Sequence, residues 1–373
     1  MAEPLKNHFK ENVPSILAEH IKNLYPEFES ELFVEQALVG FSELELLDRG
    51  KKLAKDLNDY LPNDFSKSAS ILEKSMEFPL THTDYKPMAP FFYMPHLNYI
   101  ALYGLDSPDL ALPFLKEMTK KFSAEFAIRP FIEKHEDLAF TYFEKWKKDE
   151  SVHVRRLVSE GTRPLLPWSF KLKKLETNPE KSLELLDFLK DDPEEYVRRS
   201  VANHLNDITK KHPEKVLTLC TAWIKNENHS LIHERKKFVK HALRTLIKQG
   251  NPSALALIGI KQNVDFQLIE SNVSPKKIKK GEYITIQFTL KNNTSSKQSY
   301  LVDFIINFMK KIGSTSPKVF KWTTLELLAD NSKTIQKKLL IKDFTTRKIY
   351  AGLHSVQLLI NGKPVKFGAF EVM

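Results

Sequence analysis

Two hydrophobic rhythms divide the chain. Up to about residue 265, apolar residues return every three or four positions, the period of a helix with one buried face. Between Asn12 and Tyr25 the stripe is Val13, Ile16, Leu17, Ile21 and Leu24. The same period predicts helices over Leu44 to Leu61, Ser66 to Met76, Pro113 to Phe122, Glu133 to Trp146 and Pro179 to Leu189. The best marked runs from Pro193 to Thr209, with Val197, Val201, Leu205 and Ile208 as its buried stripe. Asp192 is placed to cap it, and Pro193 suits a first turn whose N–H would be unpaired anyway. Glu194 and Glu195 favour the positive end of its dipole.

That helix has relatives. His153-Val154-Arg155-Arg156-Leu157-Val158 resembles Tyr196-Val197-Arg198-Arg199-Ser200-Val201, 43 residues later, and Lys236-Lys237-Phe238-Val239 repeats the theme. Spacings near 40 with paired helices predict HEAT or armadillo-type repeats, whose stacking makes a concave face for something long.

Past about Gln267 the period drops to two. Ile284, Ile286, Phe288 and Leu290 alternate with polar residues, as in a half-buried strand. Ile335, Leu339 and Ile341 share one parity. Val356, Leu358 and Ile360 run into Asn361-Gly362, a hairpin turn signal, and Val365, Phe367 and Ala369 follow. Roughly seven strands in such a length predict an immunoglobulin-like sandwich. The stretch Ser271 to Lys280 reads as its linker or first edge. The expected architecture is an α-solenoid of HEAT-like repeats over residues 1–265, followed by an all-β immunoglobulin-like sandwich over residues 268–373.

Charge changes the picture. The net charge is +10 over 373 residues. From Leu268 onward 18 Lys and Arg face 7 Asp and Glu, whereas the preceding 267 residues hold 39 against 40. A basic excess confined to the last third suggests a polyanionic partner, with plain solubility as the bland reading. The pairs Lys276-Lys277 and Lys279-Lys280 are candidates for phosphate contact, or equally solvated charge. Cys220 is the lone cysteine, so no intramolecular disulfide can form, and its apolar stripe places it in the core. Met1 to Lys10 lacks the apolar stretch of a signal peptide, and no apolar run reaches membrane-spanning length. These features predict a cytoplasmic protein, and a monomer is the expected state. With no G-x-G-x-x-G and no G-x-x-x-x-G-K-[ST], nothing suggests a dinucleotide or P-loop fold. His229 and His233 have the i, i+4 spacing of a metal pair but lack the glutamate of H-E-x-x-H, and surface histidines are the simpler reading.

Three acids stand out. Glu125 lies among aromatics in Phe122-Ser123-Ala124-Glu125-Phe126, Glu160 ends the first repeat helix, and Asp207 lies near the end of the second. Arg156 is four residues before Glu160, and Arg199 shares a face with Asp207. Arg and acid at this spacing ordinarily make only surface ion pairs. Trp168, after Pro164-Leu165-Leu166-Pro167, reads first as a core anchor.

Several segments in order carry a family likeness: Ala2-Glu3-Pro4-Leu5-Lys6-Asn7, Glu45-Leu46-Leu47-Asp48-Arg49-Gly50, Pro95-His96-Leu97-Asn98-Tyr99-Ile100, Tyr103-Gly104-Leu105-Asp106, Met118-Thr119-Lys120, Glu125-Phe126-Ala127-Ile128-Arg129-Pro130-Phe131 and Glu160-Gly161-Thr162-Arg163-Pro164. The chain resembles the AlkC family of DNA alkylation-repair glycosylases, relatives of AlkD, some of which end in an immunoglobulin-like domain. The resemblance implies a solenoid that holds double-stranded DNA and excises cationic N-alkylated purines, chiefly 3-methyladenine, without metal or cofactor. It places the lesion-facing acids on Glu125, Glu160 and Asp207, with Trp168 as their aromatic neighbour. Arg156, Arg163, Arg199, Lys276, Lys277, Lys279 and Lys280 are the expected DNA-binding cations. The alternative is a non-catalytic HEAT-repeat scaffold that binds DNA or protein, since fold alone does not settle function.

Overall fold

The structure is a computed structural model that describes residues 3–80, 86–225, 229–344 and 347–373. Its contacts fall into two compact units, Met1–Lys211 and His212–Met373.

The first unit is helical. Val152–Gly161 packs against Glu195–Ile208, and Glu180–Leu189 lies against both. Val154, Leu157 and Val158 of one helix, and Val197, Val201 and Leu205 of the other, are completely buried. All but Leu205 are apolar positions of the repeated sequence motif. The first arginine of each copy holds the loop that enters its own helix. Arg155 donates to the Asp149 and Glu150 carbonyls at 2.9 Å each, and Arg198 donates to those of Asp192 and Pro193 at 2.5 and 2.8 Å. Arg155 also reaches Asp192 of the next repeat at 2.6 Å.

Several helix ends differ from the sequence reading. Pro113 lies inside Pro108–Met118 rather than starting a helix. A proline interrupts the backbone ladder at one step, and its cost is tolerated here because Ala111, Leu112 and Leu115 bury their side chains on either side of it. Glu133 to Trp146 is two helices, Arg129–Lys134 and Glu136–Trp146, broken at His135, whose φ of −131° is not helical. One intervening residue leaves the apolar rhythm almost in phase, so periodicity did not reveal the break. Asp192 does not cap Glu195–Ile208 directly; it accepts from the Glu194 N–H at 3.0 Å and spends its carboxylate mainly on Arg155.

Among its described residues the second unit joins four helices, Pro213–Ile224, Ile232–Ala242, Arg244–Lys248 and Pro252–Leu257, to a two-sheet sandwich. Cys220 is buried in the first of them, and burial pushes its thiol up to about 12. The strands are β1 (Phe266–Ser274), β2 (Lys277–Ile278), β3 (Tyr283–Asn292), β4 (Gln298–Met309), β5 (Thr315–Leu327), β6 (Ser332–Leu340), β7 (Gly352–Ile360) and β8 (Lys363–Val372). They form sheets ordered β1-β3-β6 and β2-β8-β7-β4-β5. All ladders are antiparallel except β2–β8. The alternating residues Ile284, Ile286, Phe288 and Leu290 meet Tyr300, Val302, Phe304 and Ile306 between the sheets. Among the described residues eight strands replace the expected seven, because Ser271 to Lys280 is edge rather than linker: it closes β1 and supplies the two-residue β2.

The Asn361-Gly362 turn joins β7 to β8 with φ of 50° and 77°, the pair of left-handed residues a two-residue hairpin requires. Its tip seats on the end of the helical part of this unit. Gly362 touches Gly250, where an added Cβ would lie 2.6 Å from the Gly362 carbonyl oxygen. Asn361 Nδ2 donates to the Lys261 carbonyl at 2.7 Å, and its Oδ1 accepts the Leu301 N–H at 2.7 Å.

Candidate active site

The site is assembled from the ends of two neighbouring helices and the segments before and after the first. Glu160 is one residue short of the end of Val152–Gly161, and Asp207 is in the same place in Glu195–Ile208. A carboxylate at a helix C-terminus opposes the dipole and needs compensation. Arg163 supplies it to both: Nη1 is 2.5 Å from Glu160 Oε1 and Nε is 2.9 Å from Asp207 Oδ2. Ser200 donates to Glu160 Oε2 at 2.6 Å. Arg156 continues the chain of charges, with Nη1 2.6 Å from Glu125 Oε2 and Nη2 3.7 Å from Glu160 Oε1. Ser123 donates to Glu125 at 2.9 Å. The result is one run, Glu125–Arg156–Glu160–Arg163–Asp207, in which three carboxylates are held by two guanidiniums.

Burial sets the electrostatics. It would discharge Arg156 and Arg163, but the carboxylates beside them win and both hold their protons more tightly than usual. Asp207 shows the opposite balance. Burial pushes its carboxyl above the usual aspartate range despite Arg163 and, at 3.7 Å, Lys210. Beneath the run, burial and Arg163 depress buried His204 to about 3, so it is neutral, and its Nδ1 lies 3.0 Å from the Ser159 carbonyl.

Glu125, Glu160, Arg163 and Trp168 line one cleft of about 300 Å³, with Phe91 and Phe126 among its walls. Asp207 is buried and holds the Nε edge of Arg163, which itself lines the cleft. Trp168 is no core anchor. The residue is 65% exposed and its backbone takes a left-handed φ of 66°, uncommon for a bulky residue. It also borders a more enclosed chamber of about 380 Å³ with apolar walls that include Leu97, Leu102 and Phe126.

The predicted cations separate. Arg156 and Arg163 are largely covered and held between acids. Arg199 is exposed and pairs with Glu195 at 3.2 Å. Lys276, Lys277, Lys279 and Lys280 are exposed along β2 and its flanks in the second unit. Two of these four have acidic neighbours, Lys277 with Glu371 at 3.4 Å and Lys280 with Asp343 at 2.7 Å.

Sequence reasoning passed over Tyr196, whose ring lies 5.0 Å from the Arg156 guanidinium and 5.9 Å from the His153 ring. The signal was available: Tyr196 and His153 open the two copies of the repeat. Ser200, also inside a quoted motif, was given no role. Among the described residues no group of three or more His, Cys, Asp or Glu is arranged to hold a metal ion. Nor, among them, is any helix long and apolar enough to cross a membrane.

Fold and site together define a helical-repeat protein with an anionic, aromatic-walled cleft and a C-terminal sandwich. The family described as YhaZ, C-terminal Ig-like domain, matches residues 267–373. The protein is 32% identical over 360 residues to the uncharacterized protein YhaZ of Bacillus subtilis strain 168, covering 96% of each chain. It superposes on the alkylpurine DNA glycosylase AlkC of Pseudomonas fluorescens, solved bound to DNA containing an abasic site analog, with a TM-score of 0.91, 35% identity and complete coverage of both chains. The chain belongs to the AlkC family of alkylpurine DNA glycosylases, with a YhaZ-type Ig-like domain at its C-terminus.

Proposed function

We propose that this protein is a monofunctional DNA glycosylase that hydrolyses the N-glycosidic bond of cationic N-alkylated purines, chiefly 3-methyladenine, in double-stranded DNA. The observation that carries the reading is the full-length likeness to AlkC, a glycosylase solved on DNA. The chemistry suits the cleft. A cationic base departs neutral, taking both electrons of the C1′–N bond, and needs little acid help. The sugar left behind is oxocarbenium-like. Glu125 and Glu160, fixed before the substrate arrives, stabilise that charge without reorganising. One of them orients a water whose oxygen bonds to C1′ and whose proton passes to the carboxylate or to solvent. The face of Trp168 adds the attraction of a ring quadrupole for a cation.

Asp207 acts through Arg163, keeping Glu160 in register. Among the described residues no lysine lines the carboxylate cleft, which supports water over an amine nucleophile. We assign the chemistry to residues 1–265 and a supporting grip on the phosphates to residues 268–373, whose exposed lysines suit it. We further propose that the protein works in the cytoplasm as a monomer, with no metal or cofactor.

The test is direct. Purified protein is incubated with methylated duplex DNA, and free base is separated from polymer. Release of 3-methyladenine is expected. DNA binding with no release would leave a helical scaffold instead.

A further inference from the structure

Arg129 is completely buried, and its side chain is among the largest hidden anywhere in the described chain. Its hydrogen bonds all go to main-chain carbonyls. Nη1 donates to Gly161 at 3.1 Å and to Arg163 at 2.7 Å, and Nη2 donates to Phe170. Its Nε is buried without an acceptor among the described residues. Hiding a guanidinium without a paired carboxylate is costly, and an apolar side chain would fill the same space more cheaply.

The three carbonyls share a feature. Gly161 ends the helix that carries Glu160, Arg163 lies two residues past that end, and Phe170 lies at the far side of the segment that carries Trp168. One rigid fork therefore spans the entry and the exit of the same loop. The Leu172 N–H closes it again on the Pro164 carbonyl at 3.1 Å. The Phe170 ring sits 5.3 Å from the guanidinium carbon. Between the stapled ends, Trp168 is exposed and left-handed, a conformation that persists only where its surroundings enforce it.

We propose that Arg129 is a positioning residue: its guanidinium staples both ends of the loop 163–170 and thereby fixes the Trp168 ring at the wall of the carboxylate cleft. The inference rests on the glycosylase reading for its kinetic test but not for its spectroscopic one. Lysine at this position keeps the charge but loses the planar fork, so it cannot serve carbonyls on both sides.

The experiment is a cycle of Arg129→Lys, Trp168→Ala and the double variant in the full chain. Arg129→Lys is expected to slow single-turnover release of 3-methyladenine by about 10- to 100-fold, the scale of an ångström of misplacement. Its Kd for methylated duplex should stay within about threefold, and its effect should shrink to about threefold or less in the Trp168→Ala background. The contribution of Trp168 to emission, isolated by subtracting the Trp168→Phe spectra, should become more open to acrylamide quenching. Equal slowing in both backgrounds with unchanged quenching would overturn the proposal. If the native protein releases no base, the glycosylase reading fails, and the quenching comparison alone decides the staple. If Arg129→Lys does not fold, Leu165→Gly loosens the loop backbone while leaving the stapled carbonyls. The proposal expects its release rate and quenching to stay within about threefold of the parent, because the ends remain tied. A loss as large as that of Trp168→Ala would assign the loop's shape to its own stiffness and overturn the role of Arg129.

Discussion

Arg163 and Asp207, 44 residues apart in sequence, meet in a buried ion pair of 2.9 Å between Nε and Oδ2. The other edge of the same guanidinium grips Glu160. A charged group shared between successive repeats makes the geometry of the cleft depend on how the two helices stack.

Glu160→Gln should lower base release by at least about 100-fold, as loss of a fixed electrostatic stabiliser does elsewhere. Affinity for methylated duplex should change little, since Glu160 faces the cleft and not an exposed basic surface. Single-turnover kinetics beside a binding titration checks both, and full activity would remove Glu160 from the chemistry.

The pH profile of release should report Asp207. Burial raises its carboxyl above the ordinary aspartate value. As pH falls, it therefore takes up a proton sooner than an exposed aspartate would, and Arg163 loses one of its two anchors. Base release should decline on the acid side with a midpoint above the usual carboxylate range. A midpoint at or below that range would contradict the assignment.

Stability should fall on mild acidification because of two hidden imidazoles. His96 and His204 are held to about 3 in the fold, against 6.5 ordinarily, mainly by burial. Both are neutral when folded, so their contribution is complete above 6.5 and is lost as pH drops from 6.5 toward 3. Shifts of that size amount to several kcal/mol for each group. His204→Asn keeps a donor for the Ser159 carbonyl and cannot take up a proton. Its melting temperature should fall less steeply between pH 6.5 and 4 than that of the parent, and parallel slopes would refute the idea.

The lysines near β2 should not contribute equally. Lys276→Gln and Lys279→Gln should each reduce the salt dependence of DNA binding by about one unit of slope if each neutralises a phosphate. Lys277→Gln and Lys280→Gln should do less, because Glu371 and Asp343 already lie beside them. Unchanged slopes in all four would deny this strand a place on DNA.

The helical and β regions were legible because burial writes its period into the sequence: Val197, Val201 and Leu205 on one side, Ile284, Ile286 and Phe288 on the other. The break at His135 was not, since one residue barely disturbs the phase. Glu125 and Glu160 could be picked out by their flanking text, yet their convergence could not. It depends on Arg156 and Arg163, which look in sequence like any surface arginines. Trp168 reads as core in the sequence because tryptophan is highly buried on average, whereas in the fold it is exposed on a left-handed backbone. Arg129 stood inside a quoted motif with no partner in reach of local spacing; its acceptors lie 32, 34 and 41 residues away.

The close seat of Gly362 on Gly250 has a practical meaning for anyone dissecting the molecule. Any side chain at either glycine would wedge the hairpin away from the helical stub beneath it and break the grip of Asn361 on Lys261. A cut made where helices give way to strands would therefore tear a fitted joint and leave two raw surfaces. Fragments intended to survive alone should instead begin at the helix that Pro213 opens.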